Sequence, residues 1–135
     1  MIVEADRMRI YEVILNLLSN AIKFTKKSST VDANLYGQGR NAIIVFTTMK
    51  SNQDNINDKR VDEIVISIRD RGIGIDPKIQ EELFSIFVTK SETGSGLGLF
   101  ISKGIVEAHG GKVWAENNAE GKGATFSFTL PISQD

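Results

Sequence analysis

Between residues 6 and 24, apolar side chains return at every third or fourth position: Ile10, Val13, Ile14, Leu17, Leu18, Ala21 and Ile22. That spacing gathers them on one side of an α-helix and predicts a helix with one face committed to a core. Asp6 is placed to cap its first turn, while Thr25, two lysines and Ser28-Ser29 are expected to end it. Such a helix needs a surface to lie on, and the rest of the chain offers strands. Ile64, Val65, Ile66 and Ile68 form a run apolar enough for a central strand, and residues 124–130 alternate Phe126 and Phe128 with Thr125, Ser127 and Thr129. The economical solution is α/β: a two-layer sandwich with a mixed, mostly antiparallel sheet and about three helices packed on one face.

The chain has 135 residues, the size of a single domain spanning 1–135. Lys+Arg 16 against Asp+Glu 17 leaves a net charge of -1, so no blanket of positive charge exists for nucleic acid or anionic lipid. Any phosphate ligand must be held locally. With Cys 0 and His 1, disulfide frameworks, thiolate zinc sites and clustered-imidazole metal sites are excluded. No apolar run approaches the roughly 20 residues needed to cross a bilayer, and there is no charged-then-apolar leader. The expected location is the cytoplasm.

Residues 30–36 and 43–48 are β-rich and separated by Gly37-Gln38-Gly39, which predicts a hairpin; residues 50–61 are polar and read as a mobile surface loop. Asp76-Pro77 signals a short helix carrying Ile79, Leu83 and Phe84. A further helix is expected from about Leu97 to His109, with Leu99, Ile101, Ile105 and Val106 inward and Gly110-Gly111 as its stop. Residues 112–115 and 124–130 close the sheet.

Three groups of residues suggest chemistry. Asn16 and Asn20 share a helix face that Lys23 and Phe24 continue. Two amides, an ammonium and a ring suit a ligand with a metal, phosphates and a flat heterocycle; Asn20 could offer a carbonyl oxygen to Mg2+, an ion that takes few protein ligands. Asp70-Arg71-Gly72-Ile73-Gly74-Ile75 puts a carboxylate at the end of an apolar strand, before two glycines that let backbone approach a ligand. A carboxylate only accepts, so it favours the exocyclic amine of adenine over the carbonyl of guanine, by on the order of 1–3 kcal/mol. Gly94-Ser95-Gly96-Leu97-Gly98-Leu99 exposes backbone amides at a helix start, a seat for anions. Upstream, residues 87–93 read as a lid whose Lys90 reaches a terminal phosphate. Each group alone also fits a plainer role: a solvated helix face, a strand-ending turn, a glycine-rich loop.

Gly37-Gln38-Gly39-Arg40-Asn41-Ala42 formally fits a dinucleotide fingerprint, but it joins predicted strands and opens no helix. His109, in the last turn of a helix, is assigned to capping or packing, where a cation complements the dipole.

In order, Asn16-Leu17-Leu18-Ser19-Asn20-Ala21-Ile22-Lys23-Phe24-Thr25 resembles the N box of sensor histidine kinases and Asp70 to Ile75 their first glycine box. Glu82-Leu83-Phe84-Ser85-Ile86-Phe87 is similar to their F box and Gly94 to Leu99 to their second glycine box. The resemblance spans nearly the whole chain, down to Phe128-Thr129-Leu130-Pro131. It implies the catalytic, ATP-binding domain of a two-component kinase, with the fold shared by gyrase, chaperone and mismatch-repair ATPases. It further implies Asn20 as the Mg2+ ligand, Asn16 as a neighbouring polar contact, Lys23 on phosphate and Phe24 against the base. Asp70 would bind the adenine amine, in a pocket shaped by Gly72, Gly74 and Ile75. Gly94, Gly96 and Gly98 would flank the triphosphate and hinge the lid, with Phe87, Lys90 and Leu97 also counted among the nucleotide-binding residues. Relatives that hydrolyse ATP carry a glutamate general base where Asn16 stands; an amide cannot accept a proton from water at neutral pH.

The chain departs from the family in lacking the dimerisation helices that carry the acceptor histidine. It is therefore expected to be an excised or stand-alone domain, monomeric, and unable to phosphorylate itself. Its implied partners are a phosphoacceptor-histidine domain and, through it, a response regulator. The stretch 26–59 is longer than usual, and Arg71 replaces a commoner small or polar residue. Two other functions share the same boxes: a serine kinase of the anti-sigma type, and a nucleotide-sensing module that transfers no phosphate.

Overall fold

A computed structural model describes residues 2–36, 43–54, 59–85, 97–119 and 121–133. The chain runs α1 (Arg7–Tyr36), β1 (Ile44–Asp54), β2 (Lys59–Arg69), a 3-10 turn (Gln80–Glu82), α2 (Gly98–Ala108), β3 (Val113–Asn117) and β4 (Ala124–Pro131). The strands form one sheet in the order β1-β2-β4-β3, and every described pairing is antiparallel. The expected sandwich is present, with two α-helices and the 3-10 turn among the described residues where about three helices were expected.

Asp6 caps α1 as its sequence position predicts: its Oδ1 accepts from Met8 N at 3.1 Å and Arg9 N at 3.2 Å, taking up two of the orphan amides of the first turn. The helix does not end near Thr25. It continues to Tyr36, through residues 30–36 expected as a strand. Between Thr25 and Tyr36 there is no proline or glycine; the first residue suited to break the helix is Gly37. Gly37 to Ala42, expected as the turn of a hairpin, lie outside the described residues.

The actual hairpin joins β1 to β2, in register from Ile44 opposite Arg69 to Asp54 opposite Lys59. Residues 50–54 and 59–61, expected as loop, are thus paired strand. β1 is an edge strand of the described sheet, exposed along residues 44–51, so Lys50 and Ser51 meet water without disturbing the ladder.

Register sets the core. Ile64, Ile66 and Ile68 of β2 lie opposite Leu130, Phe128 and Phe126 of β4, on the face that α1 and α2 cover. Val13, Leu17 and Ala21 from α1, and Val106 from α2, pack onto it. Phe126 and Phe128 are essentially fully buried, each contributing about 1.5–3 kcal/mol of transfer free energy. The other face of β4 is buried too: Ser67 and Ser127, directly opposite each other, pair their hydroxyls at 2.8 Å. Thr129 Oγ1 accepts from Lys112 N at 2.9 Å.

Asp76 holds the start of the segment after the first glycine box, accepting from Lys78 N at 2.9 Å, but this segment forms a single 3-10 turn and no α-helix. It still delivers its apolar side chains: Leu83 is buried, and Phe84 meets Phe126 edge-on with ring centroids 6.3 Å apart. In α2 the inward residues are Val106 and Ser102, with Leu99 and Ile105 partly covered; Ile101, expected inward, is exposed. Its place is taken by Ser102, one position on, whose small side chain fits where α2 crosses α1.

The two helices run antiparallel, tied at both ends. Near one end Asn16 reaches Gly98 and Ser102. At the other, His109 Nε2 accepts from Asp6 N at 3.0 Å while its Nδ1 lies 2.8 Å from Ile105 O. Both ring nitrogens are thus engaged with backbone, and His109 packs the helix ends together.

Candidate functional site

α1 is the wall on which the other site elements converge. Asn16, Asn20, Lys23 and Phe24, all partly buried, lie along it, and Thr25 is buried. At one end of this row Asn16 Nδ2 donates to Gly98 O at 3.3 Å and to Ser102 Oγ at 3.2 Å. That fixes the first turn of α2, whose N-terminus is Leu97-Gly98, beside the helix face. A Cβ built at Gly98 would meet Asn16 only at 3.7 Å, ordinary contact, so packing against the described residues does not demand glycine there.

At the other end the first glycine box presses against α1. A Cβ at Gly72 would lie 2.7 Å from both the carbonyl carbon and oxygen of Phe24. Only glycine admits this approach of backbone to backbone. Gly74 takes φ 78 in the same turn, a left-handed conformation that side-chain-bearing residues rarely adopt. Ile75 returns to the core.

Asp70 occupies the exit of β2 and is 1% exposed. Its Oδ1 accepts two backbone bonds, from Gly72 N at 2.8 Å and Ala124 N at 3.2 Å. Its Oδ2 is buried with no hydrogen-bond partner among the described residues. Burial pushes its carboxyl pKa above the ordinary 3.8, against the opposing pull of the Gly72 and Ala124 amides. A buried acceptor left without a donor is costly, and such a group marks a place where a ligand's donor fits.

The structure therefore sets Leu97-Gly98 beside Asn16 and Gly72 beside Phe24, with Asn20 and Lys23 on the same helix and Asp70, Gly74 and Ile75 in the segment that holds Gly72. Phe87, Lys90, Gly94 and Gly96, with the expected lid, lie outside the described residues. A groove of about 520 Å³ between the 3-10 turn, α2 and β3, lined by Phe84 and Trp114 among others, contains none of the predicted site residues.

Asn117 and Asn118, which fall between the strands expected at 112–115 and 124–130, are not among the predicted site residues. Asn117 pairs with the backbone of Ile75, accepting from its N–H at 2.8 Å and donating to its carbonyl at 3.0 Å. Asn118 Nδ2 donates to Asp70 O at 2.9 Å. The available signal was the turn-forming pair at the end of a strand, which says nothing of a partner 48 residues away.

The fold and its likeness to known proteins define an ATP-binding domain of the kind that sensor histidine kinases carry. Residues 5–134 match the family of histidine kinase-, DNA gyrase B-, and HSP90-like ATPases, and the chain belongs to that family. It is 37% identical over 134 residues to the sensor protein FixL of Bradyrhizobium diazoefficiens, covering 99% of this chain and 23% of that one. It is 35% identical over 139 residues to the sensor histidine kinase WalK of Bacillus subtilis, covering 98% and 19%. The chain thus spans less than a quarter of either relative. Among solved structures it resembles the nucleotide-free catalytic domain of histidine kinase ThkA, with TM-score 0.65 and 31% identity over 96% of this chain and 70% of that one. The mycobacterial sensor histidine kinase MprB is similar at TM-score 0.67 and 27% identity, covering 96% and 74%. Among the described residues no helix is long and apolar enough to cross a membrane.

Proposed function

We propose that this single domain binds Mg-ATP and holds the γ-phosphate for transfer to a histidine on a dimerisation domain, in the same longer protein or a separate one. From there the phosphate would pass to a response regulator. The observation that carries the reading is Asp70: a fully buried carboxylate with one oxygen satisfied by two backbone amides and the other without a donor among the described residues. The exocyclic amine of adenine supplies that donor; the guanine carbonyl would oppose it. Gly72, Gly74 and Ile75 wall the base pocket and Phe24 lies against the base. Leu97 and Gly98 present the α2 N-terminus to phosphate, joined by Lys23, Lys90 and the glycines at 94 and 96.

The donor set suits Mg2+: Asn20 offers one hard oxygen, and phosphates and waters complete the shell. When bound, the ion neutralises charge on the transferring phosphoryl group. Asn16 holds the α2 start through its amide, and that amide offers no base to activate water. The domain therefore retains γ-phosphate for a protein acceptor, with little futile hydrolysis.

Calorimetric titration tests the reading. The wild-type chain is expected to bind Mg-ATP in preference to Mg-GTP, Asp70→Ala to lose that preference, and Asn20→Ala to lose the dependence on Mg2+. Retained ATP selectivity in Asp70→Ala would refute the assignment. Phosphotransfer is tested by adding a histidine-bearing dimerisation domain of a related kinase and following acid-labile, base-stable label.

A further inference from the structure

We infer that the turn between β3 and β4 sets the purine specificity of this pocket, with Asn117 and Asn118 as positioning residues that brace the first glycine box at its two ends; the inference rests on the assignment of Asp70 to adenine.

The segment from Asp70 to Ile75 is a loop with little regular structure of its own, yet it must place one carboxylate oxygen accurately. Asn118 pins its beginning. The amide nitrogen donates to Asp70 O at 2.9 Å and to Lys122 O at 2.8 Å. The amide oxygen accepts from Thr125 Oγ1 at 2.6 Å, a bond that fixes which way the amide faces. Its main chain is also engaged, with Asn118 N donating to Gly123 O at 3.0 Å and Gly121 N donating to Asn118 O at 3.1 Å. An asparagine whose every polar group is spent inside the protein has none left for a ligand; its contribution is geometric. Asn117 pins the other end, its amide pairing with both polar groups of Ile75 as a neighbouring strand would.

Close approach reinforces the brace. A Cβ at Gly123 would sit 2.1 Å from Asp70 O, and one at Gly74 would sit 2.9 Å from Asn117 Oδ1. Both glycines have positive φ, so side chains are barred by space and by conformation. Immediately after Gly123, Ala124 N donates to Asp70 Oδ1 while Ala124 O accepts from Asp70 N at 2.9 Å. The same turn therefore holds the backbone of Asp70 and one oxygen of its carboxylate, which together dictate where Oδ2 lies. Discrimination between an amine and a carbonyl depends on that position, and a supporting layer that lets it drift blurs the choice.

The experiment compares Asn118→Ala and Asn117→Ala with the wild-type full chain. Mg-ATP and Mg-GTP binding is measured by calorimetry, thermal melting checks the fold, and Glu116→Ala on the exposed side of β3 serves as the control. Each asparagine variant is expected to lose about tenfold in ATP affinity with GTP affinity unchanged, the size of one mispositioned buried hydrogen bond. The control is expected to match wild type. An equal loss for both nucleotides in a folded variant, or an unchanged ATP-to-GTP ratio, overturns the inference and leaves a structural turn. Should either variant fail to fold, hydrogen exchange on the wild type decides: ATP is expected to slow exchange of the Gly72 and Ile75 amides more than GTP, and equal slowing refutes the brace. If wild type itself shows no ATP preference, the Asp70 assignment has failed and this inference falls with it. If wild type prefers ATP, Asp70→Ala abolishes the preference and both asparagine variants keep it, only the brace is wrong.

Discussion

Gly72→Ala tests whether the proposed nucleotide pocket is built by direct contact between the first glycine box and α1. The new methyl would lie 2.7 Å from the carbonyl carbon and oxygen of Phe24 and 3.0 Å from Thr25 N, where ordinary contact begins at 3.4 Å. The obstacle is main chain inside a continuous helix, so no side chain can rotate aside. The turn must retreat by about 0.7 Å, a typical overpacking strain of about 1–3 kcal/mol. Retreat also stretches the 2.8 Å bond from Gly72 N to Asp70 Oδ1, disturbing the carboxylate itself. Two readouts should move together: a lower urea midpoint at unchanged slope, and weaker Mg-ATP binding by calorimetry. Gly104→Ala is the matched comparison, since none of the described residues lies within 4 Å of its added methyl in the middle of α2. It is expected to gain up to about 1 kcal/mol from helix propensity alone and to bind ATP normally. A Gly72→Ala chain with wild-type midpoint and affinity would show that the two elements do not touch.

Three further outcomes rest on the same geometry. Because burial raises the Asp70 pKa, the folded chain binds that proton more tightly than the unfolded one, so this group's contribution to stability falls as pH rises from the ordinary 3.8 through the raised value and stays reduced at neutral pH. Asp70→Asn keeps an acceptor for Gly72 and Ala124 but cannot ionise, so its urea midpoint should gain on wild type as pH rises across that window; a constant difference refutes the sign. Asn16→Glu places a carboxylate against Gly98 O in place of a donor, and should cost about 1–3 kcal/mol in the same denaturation assay; an unchanged midpoint removes the α1–α2 tie. Phe128→Ala empties a fully buried position and should cost about 3–5 kcal/mol, with a loss under 1 kcal/mol showing that the sheet face is not the core described.

The same physics separates what the sequence displayed from what it concealed. α1 was legible because burial imposes its period on neighbouring residues, and Asp6 because a cap bonds amides two and three positions away. The far end of that helix was not: Thr30 and Val31 favour strands by propensity, yet the helix persists to Tyr36 with Gly37 next in line. The outer arm of the β1–β2 hairpin was hidden because a polar run does not preclude ladder pairing; Asp54 and Lys59 are polar and still in register. A single-position error in α2, Ile101 for Ser102, arose because helix period gives a broad arc and the crossing partner selects within it.

The candidate site divides along a comparable line. Asn16, Asn20, Lys23, Asp70 and the glycines of both boxes announce themselves because amides beside an apolar stripe, or a carboxylate ending an apolar strand, are odd types for their local structure. Asn117 and Asn118 are ordinary types for a turn, and the partners that give them meaning are backbone atoms of Asp70 and Ile75, which every residue has and no sequence pattern marks. A residue that touches ligand is constrained by the ligand's chemistry and so stands out in type; one that positions another residue is constrained only in space. On the proposed reading, the purine preference would depend on two layers, of which a sequence motif can capture the first and only a fold can reveal the second. Transplanting the glycine box without its turn should carry over the carboxylate and lose the selectivity.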